Sequence, residues 1–227
     1  MDLDAVRREA EHFVECEREF HLGMLSTEQP HPQTRGLAEV TAADTRQGIA
    51  LLQAVDIGIV AAAKRIFAGQ EFRTLVDSLA AALAGGKRIC FSGCGATGRL
   101  SILLESAYRA FWRDARTRLG VALDTPETRC AENAVLSIMT GGDYALVRSV
   151  ESFEDYQSFG RQQVLEAGIG PGDVLVAITE GGETSSVIGT AWQALAACAQ
   201  VFFACNNPLA VLAAHVERSR RVIEDSR

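Results

Sequence analysis

Residues 88–98, RICFSGCGATG, decide the fold. A short apolar run over 88–92 is followed by glycines at 93, 95 and 98, and a helical pattern begins at about Arg99. Glycines let the backbone turn tightly and point amides at a ligand, and a helix N-terminus adds partial positive charge. Strand, glycine-rich turn and helix in this order predict an anion-binding turn in an α/β domain. We call residues 93–98 the first loop.

Three more short apolar runs, each followed by a turn, continue the same pattern. They predict strands at 134–139, 173–179 and 200–205. Continuous apolar strands that alternate with helices are typical of a parallel sheet covered on both faces. We therefore predict a three-layer, flavodoxin-like α/β fold, and such sheets bind ligands at the carboxyl ends of their strands.

The part of the chain before the sheet has helical patterns only. We predict an N-terminal helical region over 1–84 and a sheet domain over 85–227. Within the helical region, the spacing of apolar residues predicts helices at 2–20, 41–67 and 71–83, and a polar, proline-marked loop at 26–34.

The end of the chain carries one more candidate strand. Residues 221–224 have a strand-like pattern, yet the sequence stops at Arg227 with no helix to cover it. We expect a fifth strand there, in a sheet domain that is incomplete at its C-terminal end.

Composition disfavours several classes of function. The 227 residues include 22 Lys and Arg against 29 Asp and Glu, a net charge of −7, whereas nucleic-acid binding needs a basic surface. No apolar run reaches the roughly 18 residues of a membrane helix, and the N-terminus lacks a signal-peptide pattern. The six cysteines form no C-x-x-C pair and the four histidines are dispersed. We expect a cytoplasmic protein with reduced thiols, no metal and no cofactor.

A second glycine-rich loop strengthens the expectation of an anion site. Residues 179–186, TEGGETSS, follow the apolar run 173–179 and precede a helix, and we call them the second loop. Two such loops at strand ends of one sheet can hold two sides of a sugar phosphate. One alternative is a cluster of Ser/Thr helix N-caps. Another is a dinucleotide site, because the first loop matches G-x-G-x-x-G, with Asp124 as its acidic residue.

Both loops resemble those of the sugar isomerase (SIS) family, in the subfamily of N-acetylmuramic acid 6-phosphate etherases and glucokinase regulatory protein. The resemblance extends to LSTE at 25–28, PQT at 32–34, GGD at 141–143, VESFED at 150–155 and CNNP at 205–208. It implies an SIS-type fold, in a family whose chains continue with a further strand and helices. It also implies a phosphate site made of Gly95, Thr97, Thr179, Gly181 and Thr184. Gly181 stands where the family usually has a serine, so one hydroxyl donor is lost.

The resemblance also implies a pair of catalytic carboxyl groups, one acid and one base. The second family glutamate matches Glu154, whereas the first falls at Ala107, which cannot transfer a proton. Glu105 lies about 200° around the helix from Ala107, and we expect it to pair with Arg109. The alternative for Glu154 is a helix start, where acidic residues are favourable. The sequence leaves open whether the chain is an enzyme.

Other residues near the loops also have expected positions. The apolar residues at 100, 103, 104, 107, 108, 111 and 112 predict one apolar helix face. Glu180 and Glu183 would repel a phosphate, so we expect at least one to point outward or to pair with Arg99, and we assign Glu183 to solvent. Cys94 precedes a helix N-terminus, a setting that lowers a thiol pKa, and we expect its main role to be packing in the core or the loop.

The leading hypothesis is a phosphosugar-binding protein that recognises an amino-sugar or hexose 6-phosphate as a regulatory sensor. Binding needs the two loops but no catalytic acid, so the alanine at 107 favours this hypothesis. The first alternative is a lyase or isomerase related to the etherases, with Glu154 as the base. The second is a dinucleotide-binding oxidoreductase. We also expect a homodimer, and no nucleic-acid or membrane partner.

Overall fold

The structure is a computed structural model that describes residues 3–17, 21–119 and 125–226. The described residues form two compact units. One unit is Gln29–Ala81, and the other combines the described residues up to Glu28 with those from Ala82 onward. A domain boundary near residue 84 stays a prediction.

The unit that contains the residues from Ala82 onward is built on a parallel sheet of four strands. Their order across the sheet is β2-β1-β3-β4, so β1 and β3 are the central strands. Each strand lies within one residue of its predicted bounds, and they are β1 Ile89–Gly93, β2 Val135–Met139, β3 Val174–Ile178 and β4 Gln200–Ala204. The α/β prediction is confirmed, because the register aligns the carboxyl ends Gly93, Met139, Ile178 and Ala204 at one edge.

Helices occupy most of the remaining described residues. They are α1 Leu3–Cys16, α2 Leu37–Ala43, α3 Thr45–Ala68, α4 Gln70–Ala84, α5 Gly95–Leu119, α6 Pro126–Glu132, α7 Tyr144–Val147, α8 Glu151–Glu154, α9 Gln157–Glu166, α10 Ser185–Ala196, α11 Leu209–His215 and α12 Glu217–Asp225. The predicted helix 41–67 is divided at Asp44, whose carboxylate accepts the Arg46 N–H at 2.8 Å and caps α3. The predicted loop 26–34 contains two short 3₁₀ helices, Ser26–Glu28 and Pro32–Thr34.

The core of this unit lies between the sheet and α10. Leu175, Val187, Ile188 and Val201 are fully buried or nearly so. α5 packs against β1 and β2, while α10 packs against β3 and β4. Both helices begin at the carboxyl ends of strands, so this packing places their N-termini at the edge where the two loops lie.

The expected fifth strand at 221–224 is wrong, because these residues lie in α12. The charge pattern explains the helix. Glu217 pairs with Arg220 and with Arg221, three and four residues later, and such pairs stabilise a helix. Val222 and Ser219 are fully buried on the opposite side, so α12 is an amphipathic helix packed on the unit.

Candidate functional site

The non-helical part of the first loop is shorter than predicted, because α5 begins at Gly95 rather than near Arg99. Gly95 has a φ of +53°, in the left-handed region that favours glycine. A Cβ at Gly93 would lie 2.4 Å from the Thr97 carbonyl carbon, so the turn is also closed to larger residues there. The amides of Gly95 and Ala96 open the helix and have no carbonyl one turn earlier within it. These amides are the donors that the first loop offers.

The Thr97 hydroxyl is engaged within the first loop. Its Oγ1 donates to the Cys94 carbonyl at 2.9 Å and accepts the Cys94 N–H at 3.1 Å. Since a hydroxyl has a single proton to donate, Thr97 can donate to a ligand only by releasing Cys94. In this structure Thr97 therefore shapes the turn.

The second loop is organised by two threonines. The hydroxyls of Thr179 and Thr184 lie 3.0 Å apart, and Thr179 also accepts the Gly182 N–H at 3.3 Å. Gly182 has a φ of +95°, which brings this amide back toward the strand end. Thr184 donates toward Oε1 of Glu154 at 3.5 Å, a long hydrogen bond. The expectation of a simple Ser/Thr N-cap is not met, since the Thr184 side chain caps no backbone amide of α10.

The two loops line one cleft of about 280 Å³. Its walls are Thr27, Glu28, Cys94, Gly95, Ala96, Thr97, Glu154, Glu180, Gly181, Glu183 and Thr184. Of the six residues predicted for the site, Thr179 alone does not line the cleft. It is buried, and its hydroxyl lies within hydrogen-bond distance of the Thr184 hydroxyl. The structure thus brings five predicted residues to one cleft and supports them with the sixth.

Thr27 and Glu28 were not predicted as site residues. The buried side chain of Asn207 connects Thr27 to the second loop: its Oδ1 accepts the Thr27 N–H at 3.3 Å, and its Nδ2 donates to Thr27 Oγ1 at 2.9 Å and to the Gly181 carbonyl at 2.7 Å. The motifs LSTE and CNNP were visible in the sequence. Their pairing was not, because 180 residues separate the two partners.

Glu154 lies at the last position of the short helix α8. The alternative interpretation, an acidic residue at a helix start, is therefore wrong for Glu154. Its half-buried side chain faces the cleft and Thr184. This placement leaves a carboxylate within reach of a molecule held between the two loops.

The charged residues that line the cleft in the described part of the chain are all acidic. Four of its lining residues are Glu28, Glu154, Glu180 and Glu183, and among the described residues no Lys, Arg or His lines it. Glu180 is exposed, as expected for at least one glutamate. The solvated position predicted for Glu183 is wrong: it is half-buried, and its Oε2 is buried without a hydrogen-bond partner. Arg99 lines an adjacent cavity.

Burial is the largest cause and raises the pKa of the Glu183 carboxyl. A hydrogen bond from its own backbone N–H and the charge of Arg218 lower this pKa, whereas the charges of Glu28 and Glu154 raise it, and the net effect is a rise. The lowered thiol pKa predicted for Cys94 is also wrong. Burial raises that pKa, and the nearby carboxylate of Glu154 adds to the rise. Both shifts have one physical cause: the cleft combines low hydration with an excess of negative charge.

Ala107, at the position of the first family glutamate, is exposed on α5 and does not line the cleft. Glu105 pairs with Arg109 at 2.9 Å, as predicted, and its other oxygen accepts the Ser137 hydroxyl at 2.5 Å. α5 therefore turns this polar side toward β2. The predicted apolar face is instead largely exposed, with Leu103 at 63% and Phe111 at 59%.

The described residues carry neither a metal-binding cluster nor a membrane-spanning helix. Within 3–17, 21–119 and 125–226, no group of three or more His, Cys, Asp or Glu side chains is placed to hold a metal ion. No helix in the same ranges is long and apolar enough to cross a membrane. The six cysteines are free thiols. Asp124, the acidic residue of the dinucleotide alternative, lies outside the described residues.

Comparisons with known proteins agree with this architecture. The chain is 32% identical over 168 residues to an N-acetylmuramic acid 6-phosphate etherase of Parasynechococcus marenigrum, covering 74% of this chain and 46% of that protein. It is 32% identical over 194 residues to the etherase of Deinococcus radiodurans, covering 84% and 56%. The chain spans about half the length of the curated relatives it matches. The family model for the glucokinase regulatory protein N-terminal SIS domain matches residues 71–195, more than half of the chain. The chain therefore belongs to this SIS-domain family.

Proposed function

We propose that this protein binds a sugar 6-phosphate in the cleft between the two loops and acts as a regulatory sensor. The observation that carries the proposal is the convergence of the first and second loops on one cleft at the carboxyl edge of the sheet. Gly95 and Ala96 of the first loop and Gly181 and Thr184 of the second loop line this cleft. Backbone amides at a helix N-terminus are well suited to phosphate oxygens. The names of the relatives support a phosphosugar.

A thermal-shift panel of sugar 6-phosphates tests binding, with inorganic phosphate and NAD as control ligands. A compound present at 100 times its dissociation constant stabilises the folded state by about 2.7 kcal/mol. For a chain of this size we expect a rise in Tm of roughly 5–10 °C. No rise with any sugar phosphate would contradict the proposal, and a selective rise with NAD would favour the dinucleotide alternative.

Thr184→Val provides the matched variant, because it removes the hydroxyl that faces the cleft and keeps the shape of the side chain. We expect the ligand-induced rise in Tm to shrink. Thr117→Val is the control: its hydroxyl is exposed on α5 and donates to the Arg113 carbonyl. The rise in Tm of Thr117→Val should equal that of the unmodified protein.

The second candidate is a lyase or isomerase of the etherase type, with Glu154 as the base. The position of Glu154 in the cleft, next to Thr184, favours it. This candidate predicts release of lactate from N-acetylmuramic acid 6-phosphate, and a loss of at least 100-fold in Glu154→Gln, as expected for an acid–base residue. Glu224→Gln, an exposed carboxylate on α12, is the control. Unchanged turnover in Glu154→Gln would exclude this role for Glu154.

The homodimer and the cytoplasmic location stay predictions. Light scattering of the purified protein measures the first directly: a molar mass near twice the 24.4 kDa of one chain supports a dimer, and a mass near 24.4 kDa excludes it.

A further inference from the structure

The carboxyl group of Glu183 occupies the space directly above Gly181. A Cβ built on Gly181 would lie 2.0 Å from Oε2 and 2.3 Å from Oε1 of Glu183. Those distances exclude a side chain at 181 while the carboxyl stays in place. The second loop therefore presents the carboxyl of Glu183 at the point where a side chain at position 181 would otherwise stand.

The surroundings of this carboxyl are unfavourable for a negative charge. Oε2 of Glu183 is buried and has no hydrogen-bond partner. The backbone N–H of Glu183 and the charge of Arg218 favour the ionised carboxyl, but the Arg218 Nε donates at 2.9 Å to the backbone carbonyl of Glu183 and not to the carboxylate. Burial of a charged oxygen without a partner costs free energy, whereas burial of a neutral carboxyl costs much less.

Charged groups act on the Glu183 carboxyl from three neighbouring elements. Glu28 approaches from the 3₁₀ helix Ser26–Glu28, Glu154 from α8, and Arg218 from α12. Cys205, after β4, has its pKa raised by burial and also by the charge of Glu183. Glu180 belongs to the same cleft. Negative groups therefore outnumber the single guanidinium, and a phosphate dianion would add two more negative charges.

We infer that Glu183 is a phosphate-binding residue that acts in its protonated form, so that a proton is taken up when the phosphosugar binds. The proton comes from solvent and goes to the Glu183 carboxyl, whose O–H then donates to a phosphate oxygen; no covalent bond to the ligand forms or breaks. This inference rests on the proposed function. Protonation removes one negative charge from the cleft and supplies a hydroxyl donor beside Gly181, a position that has no side chain of its own.

Glu183 is better suited to this role than the other three glutamates. Glu180 and Glu28 are exposed, so water solvates their charges. Glu154 has the Thr184 hydroxyl as a hydrogen-bond donor. Among the four glutamates that line this cleft in the described part of the chain, only Glu183 has a buried carboxylate oxygen without a hydrogen-bond partner. The geometry thus selects one carboxyl of the four for proton uptake.

Calorimetric titration with N-acetylmuramic acid 6-phosphate tests the inference. Run at about pH 8 in two buffers of different ionisation enthalpy, it counts the protons taken up. At that pH the phosphate is already a dianion, since its second pKa is about 6. We expect an uptake that approaches one proton per bound molecule. We also expect the affinity to fall by up to about tenfold per pH unit at higher pH, as the competent, protonated fraction shrinks.

Glu183→Gln is the matched variant, because the amide donates without needing a proton. At pH 8 this variant should bind the phosphosugar at least about tenfold more tightly than the unmodified protein, because the unmodified protein must first be protonated and each pH unit changes the protonated fraction by up to tenfold. The variant should take up no proton, and its affinity should not change with pH. Glu180→Gln removes the same charge from the same loop but should keep the proton uptake. Binding without proton uptake in the unmodified protein, or equal uptake in Glu183→Gln, overturns the inference and leaves the proposed function standing. If neither protein binds N-acetylmuramic acid 6-phosphate or any other compound of the sugar 6-phosphate panel at pH 6 and at pH 8, the proposed function is overturned, and the inference falls with it.

Discussion

Asp173 illustrates how one side chain holds the sheet unit together. Its carboxylate accepts the Arg88 N–H at 2.9 Å, the Arg88 guanidinium at 2.8 Å and the Gly170 N–H at 3.1 Å. Burial alone would raise the pKa of Asp173, but these hydrogen bonds outweigh it and lower the pKa below its ordinary value. The ion pair connects the start of β1 with the start of β3, far from the cleft at the other end of both strands.

The first prediction concerns Asp173→Asn. Because the folded-state pKa is lowered, the carboxylate stabilises the protein fully above its ordinary pKa near 4 and less as pH falls through the folded-state value. We expect the variant to lose about 2 kcal/mol of unfolding free energy at pH 7, the order of a charged hydrogen bond. The loss should shrink on acidification toward pH 3. Urea denaturation at several pH values measures it, and a loss independent of pH would contradict this account.

At the residue level, the positions of the loops that line the cleft were easier to predict from the sequence than the orientations and contacts of their side chains. The turn at Gly95 and the position of Thr184 in the cleft follow from local patterns at two strand ends, whereas Glu154 was expected there from the family resemblance. The orientation of Glu183 does not, since it depends on the absence of a side chain at Gly181 and on α12. The role of Asn207 also depends on a contact across 180 residues.

At the level of elements, α9 and α10 cross unusually closely. A Cβ at Gly160 of α9 would lie 1.9 Å from the Ser186 carbonyl oxygen of α10, and one at Gly189 would lie 2.1 Å from the Gln157 carbonyl oxygen. Both obstacles are backbone atoms, which cannot move aside as a flexible side chain would. This contact fixes the start of α10, and hence the end of the second loop, against α9.

The second prediction is that Gly160→Ala destabilises the protein by about 3 kcal/mol, the upper end of the usual cost of overpacking. Gly58→Ala in α3 is the control, because nothing lies within 4 Å of its added Cβ. There the substitution should be neutral or stabilising by up to about 1 kcal/mol, the difference in helix propensity. Equal stability of the two variants would show that the close approach of α9 and α10 is not as described.

Elements that are continuous apolar runs were predictable, whereas α12 and the orientation of α5 were not. The four strands are continuous apolar runs, so their positions were visible. α12 was missed because Val222 and Ile223 were read as the start of a strand, whereas the helix depends on the pairing of Glu217 with Arg221. The apolar face of α5 was identified, but the helix turns the Glu105 side toward β2 through Ser137.

At the level of the whole molecule, the parallel sheet explains why distant segments form one site. β1 and β3 are neighbours with aligned carboxyl ends, so the loops that follow them, about 90 residues apart in sequence, open at the same edge. Two side chains from later in the chain hold the second loop by hydrogen bonds to its backbone. Asn207 donates to the Gly181 carbonyl, and Ser219 of α12 donates to the Gly182 carbonyl at 2.7 Å. Strand order was not derivable from the local patterns alone, since pairing β1 with β3 depends on the global packing of the helices.

We propose that the two loops bind a single phosphosugar together. The most direct test is a titration of ¹⁵N-labelled protein with N-acetylmuramic acid 6-phosphate, observed through the backbone amide signals. If the two loops form one site, the signals of Gly95 and Ala96 and those of Gly181 and Gly182 move together and give one dissociation constant. Movement at only one loop, or different dissociation constants for the two loops, would contradict the claim that they form one site.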